Sequence, residues 1–148
     1  MTARSLFFAD SNVLLYAIDR RDRVKQRGAR DWLDALWKHG AGRLSWQVLN
    51  EFYANATGKI GAPRGEVRQT LESFAWWEPV GFSLGLVQRA WYWIDAARIP
   101  YWDSLILAAA ERAGCAYLLT EDFQAGRKFA DLAVVNPFRS KPGEFGLS

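Results

Sequence analysis

Four acidic residues are the candidates for chemistry in this chain. Asp10 and Asp122 each follow a short apolar run of the kind that forms a buried strand. Asp103 lies in the first turn of an apolar helix that Pro100 begins, and Glu51 lies at the border of the buried face of another helix. Capping a helix N-terminus would explain Asp10 or Asp103 taken alone, because a carboxylate is stabilised there. A site assembled from several acids is the alternative.

The elements that position these acids alternate along the chain. We predict strands at 6–9, 43–46, 116–120 and 133–135, with a short edge strand at 77–80. Between them we predict helices at 13–18, 22–39, 47–57, 63–76, 83–97 and 100–113, and a short basic helix at 123–129. This alternation predicts an α/β fold with a largely parallel sheet covered on both faces. In such folds the working site lies beyond the carboxyl ends of the strands, where Asp10 and Asp122 fall.

Convergence of four carboxylates needs compensation. Carboxylates that lie close together raise one another's pKa values unless a cation is present. No lysine or arginine lies within three positions of Asp10, Glu51 or Asp103. Mg²⁺ and Mn²⁺ prefer oxygen ligands, and a pair of such ions ~4 Å apart activates water and stabilises the leaving oxygen of a phosphodiester. The acids therefore indicate metal-assisted hydrolysis.

Composition limits the other possibilities. The 148 residues predict one domain, with 141–148 as a flexible, Gly- and Pro-bearing tail. The single histidine, His39, excludes a multi-histidine metal cage, and the single cysteine, Cys115, excludes an internal disulfide and fits a cytoplasmic location. No apolar run approaches the roughly 20 residues of a membrane span.

Basic and aromatic clusters each allow two interpretations. The net charge of +3 permits a nucleic-acid partner without requiring one. Six cations crowd into positions 20–30, where a solvated helix face with salt bridges is favoured over a phosphate-binding edge. The aromatic runs 76–77 and 91–93 are typical of packing rather than of base stacking in a chain with eight tryptophans.

Five blocks of the sequence together resemble the PIN domain, specifically the VapC-type ribonuclease toxins of toxin–antitoxin pairs. The resemblance extends in the family's order from Asp10 to Phe138. The blocks are Phe8-Ala9-Asp10-Ser11-Asn12-Val13-Leu14-Leu15-Tyr16, Ser45-Trp46-Gln47-Val48-Leu49-Asn50-Glu51-Phe52, Tyr101-Trp102-Asp103-Ser104-Leu105-Ile106, Leu119-Thr120-Glu121-Asp122-Phe123-Gln124 and Asn136-Pro137-Phe138.

The resemblance implies a three-layer α/β/α domain over 1–140, with a mainly parallel central sheet of four to five strands. It also implies a Mg²⁺- or Mn²⁺-dependent endoribonuclease, a homodimer and a VapB-like antitoxin partner. The family's acidic quartet maps onto Asp10, Glu51, Asp103 and Asp122, with Asp10 and Asp103 as core metal ligands. Supporting and substrate-binding roles fall on other residues: Asn12, Ser11 and Thr120 would support the acids, and Arg127 and Lys128 would contact substrate phosphates.

Three alternatives stay open. Glu121 adjoins Asp122, and a shift of one residue would exchange them, although the family's Thr-x-Asp spacing favours Asp122. A haloacid-dehalogenase-type phosphatase also begins with an aspartate at a strand end, but it needs a second aspartate where this chain has Asn12. A non-catalytic module that binds RNA or protein is the third possibility, and an incomplete acidic quartet would be its sign.

Overall fold

A five-stranded sheet forms the centre of the computed structural model, which describes residues 4–148. The strands follow the order β2-β1-β3-β5-β4 across the sheet. Neighbouring strands are parallel except for β4, which pairs antiparallel with β5 at one edge. Their bounds are β1 Phe7–Ala9, β2 Gly42–Arg43, β3 Tyr117–Leu119, β4 Lys128–Phe129 and β5 Leu132–Val135. The predicted α/β class with a mainly parallel sheet is confirmed.

Six α-helices accompany the sheet within residues 4–148. They are α1 Ser11–Ile18, α2 Arg23–His39, α3 Trp46–Thr57, α4 Arg64–Phe74, α5 Leu84–Ala97 and α6 Tyr101–Arg112. All three residues of β1 have no exposed surface. Because successive strand side chains point to opposite faces, both faces of the sheet are covered at β1. No helix between residues 4 and 148 is long and apolar enough to cross a membrane.

Side-chain caps fix where four of these helices begin. Asp22 Oδ1 accepts from Lys25 N at 3.0 Å at the start of α2. Ser45 Oγ accepts from Val48 N at 3.2 Å, and Ser83 Oγ accepts from Leu86 N at the same distance. Asp10 caps α1 by accepting from Ser11 N. Each cap satisfies a backbone donor that lacks a partner within its helix.

The segment 123–129 differs from the prediction. It forms a turn followed by β4, not a basic helix. Gly126 and Ala130 have φ angles of +83° and +56°, which a right-handed helix does not allow. Arg127 O accepts from Val134 N at 2.9 Å, so the segment folds back along β5 as a hairpin. The predicted edge strand at 77–80 is also reduced, to a 3₁₀ turn at Ala75–Trp77 and a single bridge between Ser45 and Val80.

The C-terminal residues, for which composition predicts a flexible tail, pack against the domain. Pro142–Phe145 forms a 3₁₀ turn, and Leu147 is 3% exposed. The Phe145 ring lies 5.1 Å from that of Tyr117 and 5.7 Å from that of Trp32, centroid to centroid.

Candidate active site

The carboxyl ends of β1 and β3 bring Asp10 and Thr120 side by side. Ala9 and Leu119 are register partners in these two parallel strands, so the residues that follow them leave the sheet side by side at the carboxyl ends of the strands. Asp10 N donates to Leu119 O at 3.0 Å and continues the ladder by one step. Parallel pairing thus places residues 110 positions apart in direct contact.

Asp10 is the most buried of the four acids, at 5% exposure. Its Oδ1 accepts from Ser11 N at 2.7 Å, and its Oδ2 accepts from Thr120 Oγ1 at 2.9 Å. The pKa of Asp10 is raised to about 7. Burial is the main cause, the nearby charges of Asp122 and Glu51 act in the same direction, and the hydrogen bonds from Thr120 and Ser11 partly oppose them. Such a carboxylate gives up its proton near neutral pH.

Asn12 and Thr120 connect Asp10 to Asp122. Asn12 Nδ2 donates to Thr120 Oγ1 and to Asp122 Oδ2, both at 3.0 Å. Asp122 N donates to Thr120 Oγ1 at 3.1 Å, and the Thr120 side chain has no exposed surface. With its amide nitrogen held by these bonds, the buried Asn12 Oδ1 has no hydrogen-bond partner among residues 4–148.

Glu51 is held by two neutral donors. Ser11 Oγ donates to its Oε2 and Gln47 Nε2 donates to its Oε1, each at 2.9 Å. Gln47 is 8% exposed, and the same Nε2 also donates to Trp102 O at 3.1 Å. Gln47 therefore ties Glu51 to the backbone directly before Asp103. Our sequence reasoning assigned Gln47 no role, although its position one turn before Glu51 was the available signal.

Asp103 projects from the first turn of α6 and is half-buried. Desolvation raises its pKa above the ordinary value, and the charges of Asp122 and Glu51 raise it further. The structure thus places Asp103 within electrostatic range of two other acids of the quartet.

Glu121 and Asp122 point to different partners. Glu121 Oε2 lies 2.7 Å from Lys25 Nζ, and the lysine also donates to Tyr16 OH at 3.3 Å. Asp122 instead joins the network of Asn12 and Thr120. The geometry therefore agrees with the Thr-x-Asp spacing and brings Asp122, not Glu121, to the other acids.

Arg127 and Lys128 lie apart from this network. They belong to the hairpin around β4, the strand separated from β3 by β5. The Arg127 guanidinium stacks over the ring of Phe129 at 4.5 Å. Their suggested contact with substrate phosphates stays a prediction.

The side chains of the quartet and its neighbour Asn12 offer oxygen donors, as a divalent cation requires. Within residues 4–148, no three acid, histidine or cysteine side chains are gathered into a ready-made metal cluster. The ion pairs in this part of the chain join Arg21 to Asp19, Lys25 to Glu121 and Arg89 to Glu111, and none includes an acid of the quartet. The four carboxylates have no ion-pair partner in residues 4–148, and the buried Asn12 Oδ1 accepts no hydrogen bond there. Carboxylate and amide oxygens are the hard ligands that Mg²⁺ or Mn²⁺ prefers. The residues fit such an ion chemically.

Comparison with solved structures finds the same fold in toxin–antitoxin proteins. A toxin–antitoxin complex from Klebsiella pneumoniae matches with a TM-score of 0.66 and 19% identity, over 90% of this chain and 98% of that one. VapBC2 from Rickettsia felis, bound to a DNA fragment from its promoter, matches with a TM-score of 0.60 and 17% identity, over 87% and 96%. VapC20 from Mycobacterium tuberculosis, a Sarcin-Ricin loop cleaving toxin, matches with a TM-score of 0.54 and 16% identity, over 78% and 91%.

Comparison with sequences gives a family. No curated protein matches the chain. The family model for the PIN domain matches residues 7–133, a segment that contains all four acids and every strand except the end of β5. The chain therefore belongs to the PIN domain family.

Proposed function

We propose that this protein is a Mg²⁺- or Mn²⁺-dependent endoribonuclease that hydrolyses RNA phosphodiesters with water. The observation that carries this proposal is that Asp10 and Asp103 each lie within electrostatic range of Glu51 and Asp122. None of these four acids has an ion-pair partner in residues 4–148. Burial and the neighbouring acids raise the pKa values of Asp10 and Asp103, so the arrangement favours binding of a divalent cation, which stabilises their charged forms.

Each acid has a distinct part in the proposal. Asp10 and Asp103 would hold the ion, and Glu51 and Asp122 would complete the site directly or through water. A bound Mg²⁺ or Mn²⁺ supplies charge stabilisation for the phosphoryl oxygens and lowers the pKa of water. One of the four carboxylates would accept the proton of the attacking water. The donors Thr120 and Asn12 hold Asp10 and Asp122 in place.

The proposed biological role is that of the toxin in a VapBC-type pair. All three structural neighbours come from toxin–antitoxin systems, and the name of VapC20 states that it cleaves the Sarcin-Ricin loop. These likenesses support the fold, and the role is proposed on that fold together with the complete acidic quartet. The proposal includes a homodimer and a VapB-like antitoxin as partner.

Cleavage of an end-labelled panel of structured RNAs tests the activity. Reactions contain Mg²⁺, Mn²⁺ or EDTA, and Asp103→Asn is compared with Asp34→Asn, a change of the same kind at an exposed position of α2. We expect metal-dependent cuts from the wild type and from Asp34→Asn, and their loss in Asp103→Asn. The reaction depends on the bound ion, so removing one of the ligands of that ion lowers the rate by orders of magnitude.

Two results would contradict the proposal. Cuts that persist in Asp103→Asn at the wild-type rate would identify another site or a contaminating nuclease. Absence of cleavage together with absence of metal binding would favour a non-catalytic PIN module that binds RNA or protein.

A further inference from the structure

A groove leads away from the acidic quartet between α1 and the loop after α3. It is a cavity of about 300 Å³ lined on one side by Ser11, Asn12 and Asp122. Asn55, Lys59 and Ile60 also line it, from the end of α3 and the loop that follows. We call this cavity the Lys59 groove. Because Asp122 of the quartet lines this cavity, a polymer bound at the acids can continue into it.

The groove extends further into a second cavity of about 520 Å³ beside α4. The two cavities share Asp19, Arg21 and Ile60 in their walls. Volumes of this kind fit the usual range for ligand sites, about 300–1,000 Å³. The shared residues place the two cavities next to each other.

The charges that line the Lys59 groove are mostly neutralised in pairs. The Arg21 guanidinium forms two hydrogen bonds to Asp19, both at 2.9 Å, and these lower the pKa of Asp19. Glu121 is paired with Lys25, which reaches it from α2. Lys59 is exposed and takes part in none of the ion pairs found between residues 4 and 148. The charge of Lys59 helps to lower the pKa of Asp19 through space, but no direct ion pair within residues 4–148 holds its ammonium group. Lys59 is therefore the cation of this groove that can contact an anion.

The backbone around Lys59 is held in place. Gly58 N donates to Ala54 O and Ile60 N donates to Asn55 O, both at 3.0 Å. These bonds close the end of α3 on either side of Lys59. The backbone position of this lysine is consequently fixed relative to α3, the helix that carries Glu51.

The second cavity continues the positive charge. Arg20 and Arg30 contribute to its wall, against one acid, Glu66, beyond the Asp19–Arg21 pair. Arg30 Nε donates to the backbone oxygen of Ala17 at 2.8 Å, which leaves its charge without an acidic partner among the described ion pairs. From the acidic quartet, the two cavities therefore lead past Lys59, Arg20 and Arg30, none of which belongs to an ion pair within residues 4–148.

We infer that the Lys59 groove binds the ribose–phosphate backbone of single-stranded RNA next to the cleaved bond, with Lys59 contacting a phosphate. This inference rests on the proposed nuclease function, since the cleaved phosphate itself would lie at the acids. The half-buried side chains of Leu15 and Tyr16 give the groove an apolar wall against which a ribose or base can pack. The Arg21–Asp19 and Lys25–Glu121 pairs neutralise themselves, and Asp122 belongs to the acidic quartet. Along the rest of the two cavities, Lys59, Arg20 and Arg30 outnumber Glu66. This excess of positive charge favours a polyanion over a basic or neutral peptide.

Binding of a labelled single-stranded oligouridylate of about ten nucleotides, a length within the site sizes of single-strand binders, tests this inference. The full chain carries Asp103→Asn so that the probe is not cut, and anisotropy is recorded over a salt series. Lys59→Gln is compared with Lys38→Gln, which removes the same charge near the end of α2. Lys38 lies near the amino ends of the strands, away from the acids at their carboxyl ends. This follows because Ala41, three residues later, accepts from Phe7 N at the start of β1.

We expect Lys59→Gln to weaken binding by up to about fivefold, the size of one exposed ion pair. We also expect the slope of log K against log salt to fall by about 0.7, the contribution of one phosphate contact to a single strand. In the otherwise wild-type chain, Lys59→Gln raises KM and leaves kcat unchanged. Lys38→Gln changes none of these quantities.

Equal affinity and equal salt slope in Lys59→Gln and Lys38→Gln would overturn the inference and leave the groove to a peptide. If metal-dependent cleavage is present at the same time, the nuclease proposal survives that result. Conversely, a chain that fails to cut RNA but shows the Lys59-specific loss of binding would keep the groove and lose the nuclease. Thermal melting of both variants checks that neither change alters the fold.

Discussion

At the scale of single residues, Asp10 carries opposing demands. It caps α1, accepts from Thr120 and is nearly buried, and yet the proposed chemistry needs it ionised. Burial and the neighbouring acids raise its pKa to about 7. A bound divalent cation would remove this conflict, because it favours the charged form. The cost of holding Asp10 without a cation should therefore be measurable.

We predict that metal-free protein loses stability as the pH rises from about 4 to about 7. The folded-state pKa of Asp10, about 7, lies above the ordinary value of 3.8, so the folded state binds more protons than the unfolded state in this window. The free energy of unfolding then falls with rising pH, and it levels off above about pH 7. The total fall is up to ~4 kcal/mol, since one pKa unit corresponds to about 1.4 kcal/mol. The raised pKa of Asp103 acts in the same direction.

Urea unfolding in EDTA at a series of pH values measures this loss. The wild type is compared with Asp10→Asn and with the exposed control Asp34→Asn. Asp10→Asn should lose most of the pH dependence and be more stable than the wild type at pH 8. If Asp10→Asn retained the wild-type slope, the burial account of Asp10 would be wrong.

A second prediction at this scale concerns Gln47, which we regard as a positioning residue. Gln47→Leu removes the donor shared by Glu51 Oε1 and Trp102 O and leaves both oxygens without it. Loss of an outer partner of this kind costs about 10- to 100-fold in metal affinity or activity. We expect kcat to fall by such a factor while KM for RNA stays the same.

The matched control for that change is Gln69→Leu, on an exposed face of α4. Calorimetric Mn²⁺ affinity, measured beside kcat, separates positioning from general destabilisation. A loss of thermal stability in Gln47→Leu with unchanged Mn²⁺ affinity would reduce Gln47 to a purely structural contact.

At the scale of elements, the strands β1 and β3 do most to build the site. Both were predictable because a short apolar run directly before a polar cluster is typical of a buried parallel strand. The hairpin at 123–135 was not predictable in the same way. The basic segment between Phe123 and Phe129 was predicted as a short helix, but the left-handed φ angles of Gly126 and Ala130 turn it back onto β5.

The short strand β2 gives a test of packing at this scale. A Cβ atom at Gly42 would lie 2.7 Å from Cζ2 of Trp77, a buried ring that packs 4.8 Å from Phe74, centroid to centroid. We predict that Gly42→Ala destabilises the fold by about 1–3 kcal/mol, because the added methyl group overpacks this cluster.

The control is Gly65→Ala in α4, where a Cβ meets open space. That change should stabilise the protein by about 0.5–1 kcal/mol through helix propensity. Denaturant midpoints measure both variants. A neutral Gly42→Ala would mean that the Trp77 ring moves aside at little cost.

At the scale of the whole molecule, the sequence predicts the order of elements and the edge where the acids meet. It does so because the alternation of strands and helices limits the topology and parallel pairing then places Asp10 beside Thr120. Contacts between segments that are distant in the chain could not be predicted from the sequence. The pairing of Lys25 with Glu121, the role of Gln47 and the packing of Phe145 against Tyr117 depend on three-dimensional placement that no local pattern encodes.

Calorimetric titration of metal-free protein with Mn²⁺ at pH 8 tests the central claim most directly, because it asks whether the four acids together bind a divalent cation. We predict saturable binding by the wild type and by Asp34→Asn, and a loss of at least about tenfold in affinity for Asp10→Asn and Asp103→Asn. Equal binding by all four proteins, or no binding by the wild type at millimolar Mn²⁺, would contradict the account.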